Sequence, residues 1–340
     1  MTGIAMKTFA ILLITAYILS GNAISQSKTG TTIGEFLTIE PSARITGMGN
    51  AGVSLHDETQ TAYYNPGAIG HFDTYGVQFT HSLWLASITY DYVAVAVPLQ
   101  EWGNLYFSGT ALNSGEIDVR TVDQPLGTGE RYTVNDVALG LGYGRKISDR
   151  FSAGVELNYI QETIWHSSLN AFAINVGTIY EISPDGLRIG ASISNFGTDG
   201  QFSGKDMRIT YDPNPSMNGS NTALPGEVYT DTYSLPVLFR VGVSLPVKIN
   251  NNNQLIVAVN AFHPNENTES VSLGGEWSFM KTFMFRAGYQ NLFQQDSETG
   301  LTLGTGLIYD MGGSDLHFDY GWADYGRLQS VQMFTLGITF

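Results

Sequence analysis

After residue 70, apolar and polar positions alternate with a period of two almost everywhere. In the closing stretch SVQMFTLGITF, Phe334, Leu336, Ile338 and Phe340 fall on one side, and Val331, Met333, Thr335, Gly337 and Thr339 on the other. LPVLFRVGVSL sets Val237, Phe239, Val241, Val243 and Leu245 against Leu238, Arg240, Gly242 and Ser244. RFSAGVELNY sets Phe151, Ala153, Val155, Leu157 and Tyr159 against Ser152, Gly154, Glu156 and Asn158. Successive side chains of an extended chain point to opposite faces, so this pattern predicts β-strands. Fourteen such runs can be laid out, near 75–82, 88–97, 103–112, 131–145, 150–163, 168–181, 187–196, 233–246, 254–263, 268–279, 282–290, 301–310, 315–323 and 330–340. Most are about ten residues or longer. Strands of soluble domains have a mode of about 5–6 residues, whereas a tilted strand crossing a bilayer needs about 9–11.

The connections point the same way. Those after even-numbered runs are mostly short, as in 146–149, 182–186, 280–281 and 311–314, while those after odd-numbered runs include the two longest, 113–130 and 197–232. Membrane barrels have short turns at one mouth and longer loops at the other, with an even strand count. The expected fold class is all-β, a transmembrane antiparallel β-barrel of about fourteen strands. The non-lipid side of the runs carries Glu156, Arg188, Arg240, Glu276, Arg286 and Asp319, with Asn158, Asn175 and Asn260. Charges in mid-strand are costly in lipid and acceptable in a lumen, so the lumen is expected to be polar, with opposite charges paired.

Residues 28–70 break the pattern: period two is weak and turn formers are frequent. Such a piece ahead of a barrel is either a periplasmic arm or a plug inside the lumen. Farther upstream, Lys7 precedes the apolar run FAILLITAYIL and the small residues of SGNAISQ. The run is too short to span a bilayer and reads as a signal peptide cleaved near Ala23. The expected layout is 1–23 signal peptide, 24–72 N-terminal plug segment and 73–340 outer-membrane barrel.

Composition narrows the chemistry. The charged fraction is 14%, low against the roughly 25% usual in soluble domains. The net charge of −15 argues against a nucleic-acid partner. The absence of cysteine removes thiolate chemistry and disulfides. Six scattered histidines leave little material for a metal site, and no cofactor is expected. Glu156, Glu276 and Asp319 could serve as acid–base carboxylates, but a polar lumen supplies such residues for structural reasons. His56-Asp57 reads as a solvated turn.

One motif raises a sharper question. ITGMGNAGVSL contains Gly47, Gly49 and Gly52 in the G-x-G-x-x-G spacing of a dinucleotide-binding turn. That turn needs a buried strand before it and a crossover helix after it. Upstream lies the polar TIEPSAR, and downstream the stretch is too short and polar for the helix. These glycines read instead as backbone devices for tight turns and close approach to a wall, with Arg44 beside them placed to pair with a lumen carboxylate such as Glu156 or Glu276.

The same stretch resembles the N-terminal signature of the PorV/PorQ family, which is related to FadL-type outer-membrane channels. The matching residues are Ser42, Ala43, Arg44, Gly47, Met48, Gly49, Ala51, Gly52 and Val53, then Asp57, then Tyr64, Asn65 and Pro66. The terminal Phe340 resembles the signal read by the barrel-assembly machinery. The asparagine-proline step continues here as Gly67-Ala68, where FadL-type chains usually have Ala-Gly. The resemblance implies a fourteen-stranded barrel in outer-membrane lipid with its N-terminal segment inside as a plug. It also implies a non-enzymatic shuttle or anchor for type IX protein secretion, docking secretion-system or surface proteins through loops 113–130 and 197–232. The alternative is a FadL-like channel for hydrophobic small molecules, which requires an apolar pocket near the plug.

Overall fold

The computed structural model describes residues 30–183, 186–216, 223–295 and 297–340. The expected signal peptide lies outside them. Fourteen long antiparallel strands form the wall: β1 (Gly76–Leu83), β2 (Thr89–Pro98), β3 (Asn104–Asn113), β4 (Val134–Ser148), β5 (Phe151–Ile164), β6 (Ser167–Glu181), β7 (Arg188–Gly197), β8 (Leu238–Asn250), β9 (Asn253–Pro264), β10 (Ser270–Phe279), β11 (Phe283–Leu292), β12 (Leu301–Asp310), β13 (Asp315–Asp324) and β14 (Ser330–Thr339). Each strand pairs with the next, and β14 pairs with β1 from Gly76↔Thr339 to Leu83↔Gln332, so the sheet closes. Closure leaves no open edge, which is what makes a sheet tolerable in lipid.

The alternation in the sequence is the alternation of this wall. Along β8, Leu238, Arg240, Gly242 and Ser244 are buried, while Phe239, Val241, Val243 and Leu245 are exposed. Around the circumference the outward face presents Phe79, Val93, Phe107, Leu141, Leu157, Ile174, Val259, Leu273, Trp277, Phe285, Leu303 and Leu336. An apolar girdle of this extent far exceeds the patches of soluble monomers and suits lipid.

Besides register shifts beside the β4–β5 and β8–β9 turns, two bulges adjust the wall. At the first, β7 carries one residue more than β6 opposite Asn175, with Asn195 left-handed at φ 62°. At the second, β11 gains a residue on β10 near Asn291, at φ 55°.

Loop length differs between the mouths. Even-numbered strands lead into short turns, such as 149–150 and 251–252. The long connections 114–133 and 198–237 leave the other mouth. Each contains a hairpin, pairing Ile117–Asp118 with Arg131–Tyr132 and Arg208–Tyr211 with Leu224–Glu227. The first hairpin takes Arg131 and Tyr132 out of the expected fourth strand, which starts at Val134. The eighth starts at Leu238 rather than near 233, because Leu235 turns inward and is buried.

The N-terminal segment packs against inward-facing residues of the wall. Ile33 N donates to Ser234 O at the long-loop mouth, 3.0 Å away. The chain descends past helix α1 (Ala43–Gly47), turns at the short-turn mouth near Asp57, rises into α2 (Thr61–Tyr64) and descends again through a 3-10 turn at Pro66–His71 to β1. Its contacts reach all fourteen strands, among them Gln78, Tyr90, Asn104, Thr178, Ser192, Ser244, Asn260, Glu276, Gln290, Thr302 and Thr335, with Gly142, Gly154 and Gly321 supplying β4, β5 and β13.

Candidate functional site

The docking of this segment is built on its glycines. Helix α1 starts at Ser42, whose Oγ accepts from Ile45 N at 3.3 Å. At its end, a Cβ on Gly47 would stand 2.9 Å from the Cα of Gly304 on β12. Gly49 has φ 65°, and a Cβ there would stand 2.6 Å from the carbonyl oxygen of Leu273 on β10. A Cβ on Gly52 would stand 2.6 Å from Ile45 Cγ2. Of the three glycines in the dinucleotide spacing, Gly47 and Gly49 thus meet the wall and Gly52 packs within the segment. Farther on, Asn65 Nδ2 donates to Val53 O at 2.7 Å and Thr178 O at 2.9 Å, while its Oδ1 accepts from Gly67 N at 2.9 Å. Pro66 presses on Gly154 and Gly177 of the wall, where only glycine leaves room.

Close approach brings Arg44 into an ionic network. Its Nε and Nη2 donate to the two oxygens of Glu276, each at 2.7 Å, a bidentate pair. Nη1 and Nη2 reach Asp57 at 3.0 Å, and Nη1 lies 3.3 Å from Glu58 Oε1. Arg286 Nε donates to Glu276 Oε2 and its Nη1 to Asp319 Oδ1, both at 2.6 Å. Two guanidinium groups therefore face the four carboxylates Asp57, Glu58, Glu276 and Asp319. Burial, opposed by Arg44, pushes Glu58 up to about 7. Arg44, against its own burial, holds Asp57 well below the usual carboxylate range. Of the two carboxylates offered to Arg44 by the sequence, Glu276 is the one it reaches. Glu156 accepts instead from Ser108 Oγ at 2.7 Å and Asn175 Nδ2 at 2.8 Å.

Arg240 and Arg188 belong to other clusters. Arg240 is 1% exposed; its Nη2 lies 3.6 Å from Glu40 Oε1, its Nη1 donates to Ser194 Oγ at 2.8 Å, and its guanidinium stands 5.6 Å from the Tyr63 ring centroid. Burial raises Glu40 to about 7 despite that neighbour. Arg188 Nε is 3.4 Å from Glu181 at the short-turn mouth. Phe340 extends the β14 ladder, exchanging backbone bonds with Tyr75 and stacking on its ring with centroids 5.8 Å apart. Sequence reasoning missed Glu40, Glu58 and Tyr63, which carry no periodic signal.

The lumen is not uniformly polar, which corrects the sequence-based expectation. Opposite the ionic sector, β2 to β6 turn Tyr90, Tyr92, Ala94, Tyr106, Ala138, Ile160, Leu169, Ala171 and Ala173 inward, against Phe36, Leu37 and Ile39 of the segment. The sector also packs against Phe202, in the long connection after β7. Phe202 in turn lines a cavity of about 550 Å³ at the long-loop mouth, with Tyr132, Ile164, Trp165, Met207 and Tyr233. Asp206 at its rim is held by His166, whose Nδ1 is 3.0 Å away.

No family model matches the chain, and no curated protein matches it. Solved structures of similar shape include the Ralstonia pickettii toluene transporter TbuX, with TM-score 0.53 and 12% identity over 89% of this chain and 98% of that one. The Pseudomonas putida toluene transporter TodX gives TM-score 0.54 and 11% identity over 87% and 96%. The CymD monoaromatic hydrocarbon channel gives TM-score 0.52 and 11% identity over 88% and 97%. At these identities the likeness establishes the fold, an all-β barrel like those of outer-membrane transporters.

Proposed function

We propose that the chain is an outer-membrane channel for small apolar molecules, monoaromatic hydrocarbons among them, with residues 24–72 as its plug. The observation that carries this reading is continuity. An apolar, aromatic cavity at the long-loop mouth meets the apolar sector of the lumen through one shared residue, Phe202. Burying a monoaromatic ring there gains the area-proportional hydrophobic free energy, and onward passage requires Phe36 and Leu37 to move off the sector they cover. The printed names of the similar structures, toluene transporters and a hydrocarbon channel, support it. The long-loop mouth then faces outward, and the ordered Phe340 ladder is available to the barrel-assembly machinery.

Radiolabelled toluene should enter cells carrying the protein faster than cells without it. Phe202→Asp, which puts a charge into the path, should slow that uptake by about tenfold or more, equivalent to about 1.4 kcal/mol. Heat-modifiable migration checks that the barrel is folded. A folded wild type with uptake no faster than the control overturns the reading.

A second reading rests on the hairpin Arg208–Tyr211/Leu224–Glu227, whose Ile209, Tyr211 and Leu224 are exposed, as are Val228 and Tyr229 after it. Exposed apolar residues on an outer hairpin suit the protein docking expected of a type IX shuttle or anchor. Deleting 208–227 separates the two: the channel reading keeps toluene uptake, and the docking reading loses co-isolation of a surface partner.

A further inference from the structure

Three groups that neither reading uses meet at the short-turn mouth. His56 lies at the turn of the N-terminal segment, and His71 near its end. Their rings stack, with centroids 3.9 Å apart and planes inclined by 19°. Glu181, the last residue of β6, places Oε1 2.7 Å from His56 Nε2. His71 Nε2 is 3.0 Å from Ser152 Oγ. One ligand atom from each of His56, His71 and Glu181 lies within 4.8 Å of the other two. The solvated turn expected at His56-Asp57 is therefore half right: Asp57 is partly open, but the His56 side chain is only 13% exposed.

We propose that His56, His71 and Glu181 form a binding site for a divalent transition-metal ion of the zinc type, which pins the N-terminal segment to the end of β6. Two imidazoles and a carboxylate suit Zn²⁺, Ni²⁺ or Cu²⁺; Ca²⁺ and Mg²⁺ take oxygen ligands. Three protein ligands with water in the fourth position is the form of an open zinc site. Ligands about 2.0–2.2 Å from a tetrahedral ion stand about 3.3 Å apart, so atoms now within 4.8 Å of one another close by up to about 1.5 Å, and the stacked rings turn out of their parallel arrangement to aim both nitrogens at the ion. The three residues also line a cavity of about 460 Å³, which gives an ion access and room for a water ligand.

A metal needs unprotonated imidazoles. Burial disfavours the charged form of both rings, aided by Arg188 at His56 and by His56 at His71. Arg188, 3.4 Å from Glu181 Oε1, and Lys146 in the same cavity oppose a cation. Their charge lowers the expected affinity relative to a site without cationic neighbours.

The test uses the full chain without a histidine tag, purified in detergent and titrated with ZnCl₂ against a chromophoric chelator. One zinc per chain should bind. His56→Ala and His71→Ala should each weaken binding at least tenfold, and His263→Ala, at the opposite mouth, should leave it unchanged. X-ray absorption of the zinc-loaded wild type, which needs no variant, should show scattering from two imidazoles. Failure to bind zinc, binding that survives both substitutions, or a spectrum without imidazole scattering overturns the proposal. Toluene uptake plays no part in any of these outcomes.

Discussion

At the scale of residues, Arg44 holds the most charge in one place. It binds Glu276 through two hydrogen bonds and also faces Asp57 and Glu58. Removing it leaves buried carboxylates facing one another with only Arg286 between them. Breaking such a pair costs about 3–5 kcal/mol. Arg44→Ala should therefore loosen the segment by about that amount, seen as faster hydrogen exchange across residues 43–53, with the barrel strands still protected. The sequence exposed Arg44 as a residue needing a carboxylate but left Glu156 and Glu276 equivalent, because both lie inward at mid-strand. The choice depends on which sector of the wall lies under α1, and strand periodicity carries no information about that. The same holds for His56 and His71, which meet only because the segment doubles back.

At the scale of elements, the strands were legible because two different media act on the wall. Lipid enforces apolar residues at every second position, and the packed lumen admits polar ones between them. The loop hairpins at 117–132 and 208–227 were not legible, since their pairs are short and face water on both sides. The outward face makes its own prediction. Leu303, exposed on β12, should contact acyl chains. Leu303→Arg should destabilise the barrel in lipid vesicles by about 2–4 kcal/mol, measured by denaturant unfolding. A change within about 0.5 kcal/mol would mean that this face meets water.

At the scale of the whole molecule, the barrel sets an ionic half on β10 to β13 against a largely apolar half on β2 to β6, within which Glu156 is held by Ser108 and Asn175. The sequence concealed the second half. In TYDYVAVAV both faces are largely apolar, so inward Tyr90, Tyr92 and Ala94 look no different from outward Val93 and Val95. The ionic half makes docking sensitive to pH. Glu40 and Glu58, each raised to about 7, keep protons in the docked state that they release once exposed. The docked state thus binds more protons, and its stability falls as pH rises. The depressed His56 and His71 act in the opposite direction as pH falls toward 6.5, so in the window between pH 6.5 and 8 they offset about 0.4 kcal/mol each and the carboxyls prevail. Across it docking should weaken by roughly 1 kcal/mol per carboxyl, read as faster proteolysis or hydrogen exchange of residues 35–60 at pH 8 than at pH 6.5.

The course of the N-terminal segment also has a mechanical consequence. It is a rope made fast at one end: past Phe72 it is covalently continuous with β1 at the short-turn mouth, while Thr32 and Ile33 are held at the long-loop mouth by the bridge to Ser234 and its backbone bond. A pull from the short-turn side works against the anchored end and tightens Pro66 against its wall glycines. A pull from the long-loop side peels the strand of contacts one at a time, beginning with that backbone bond. Unplugging by force is therefore directional, cheap from the long-loop mouth and costly from the other.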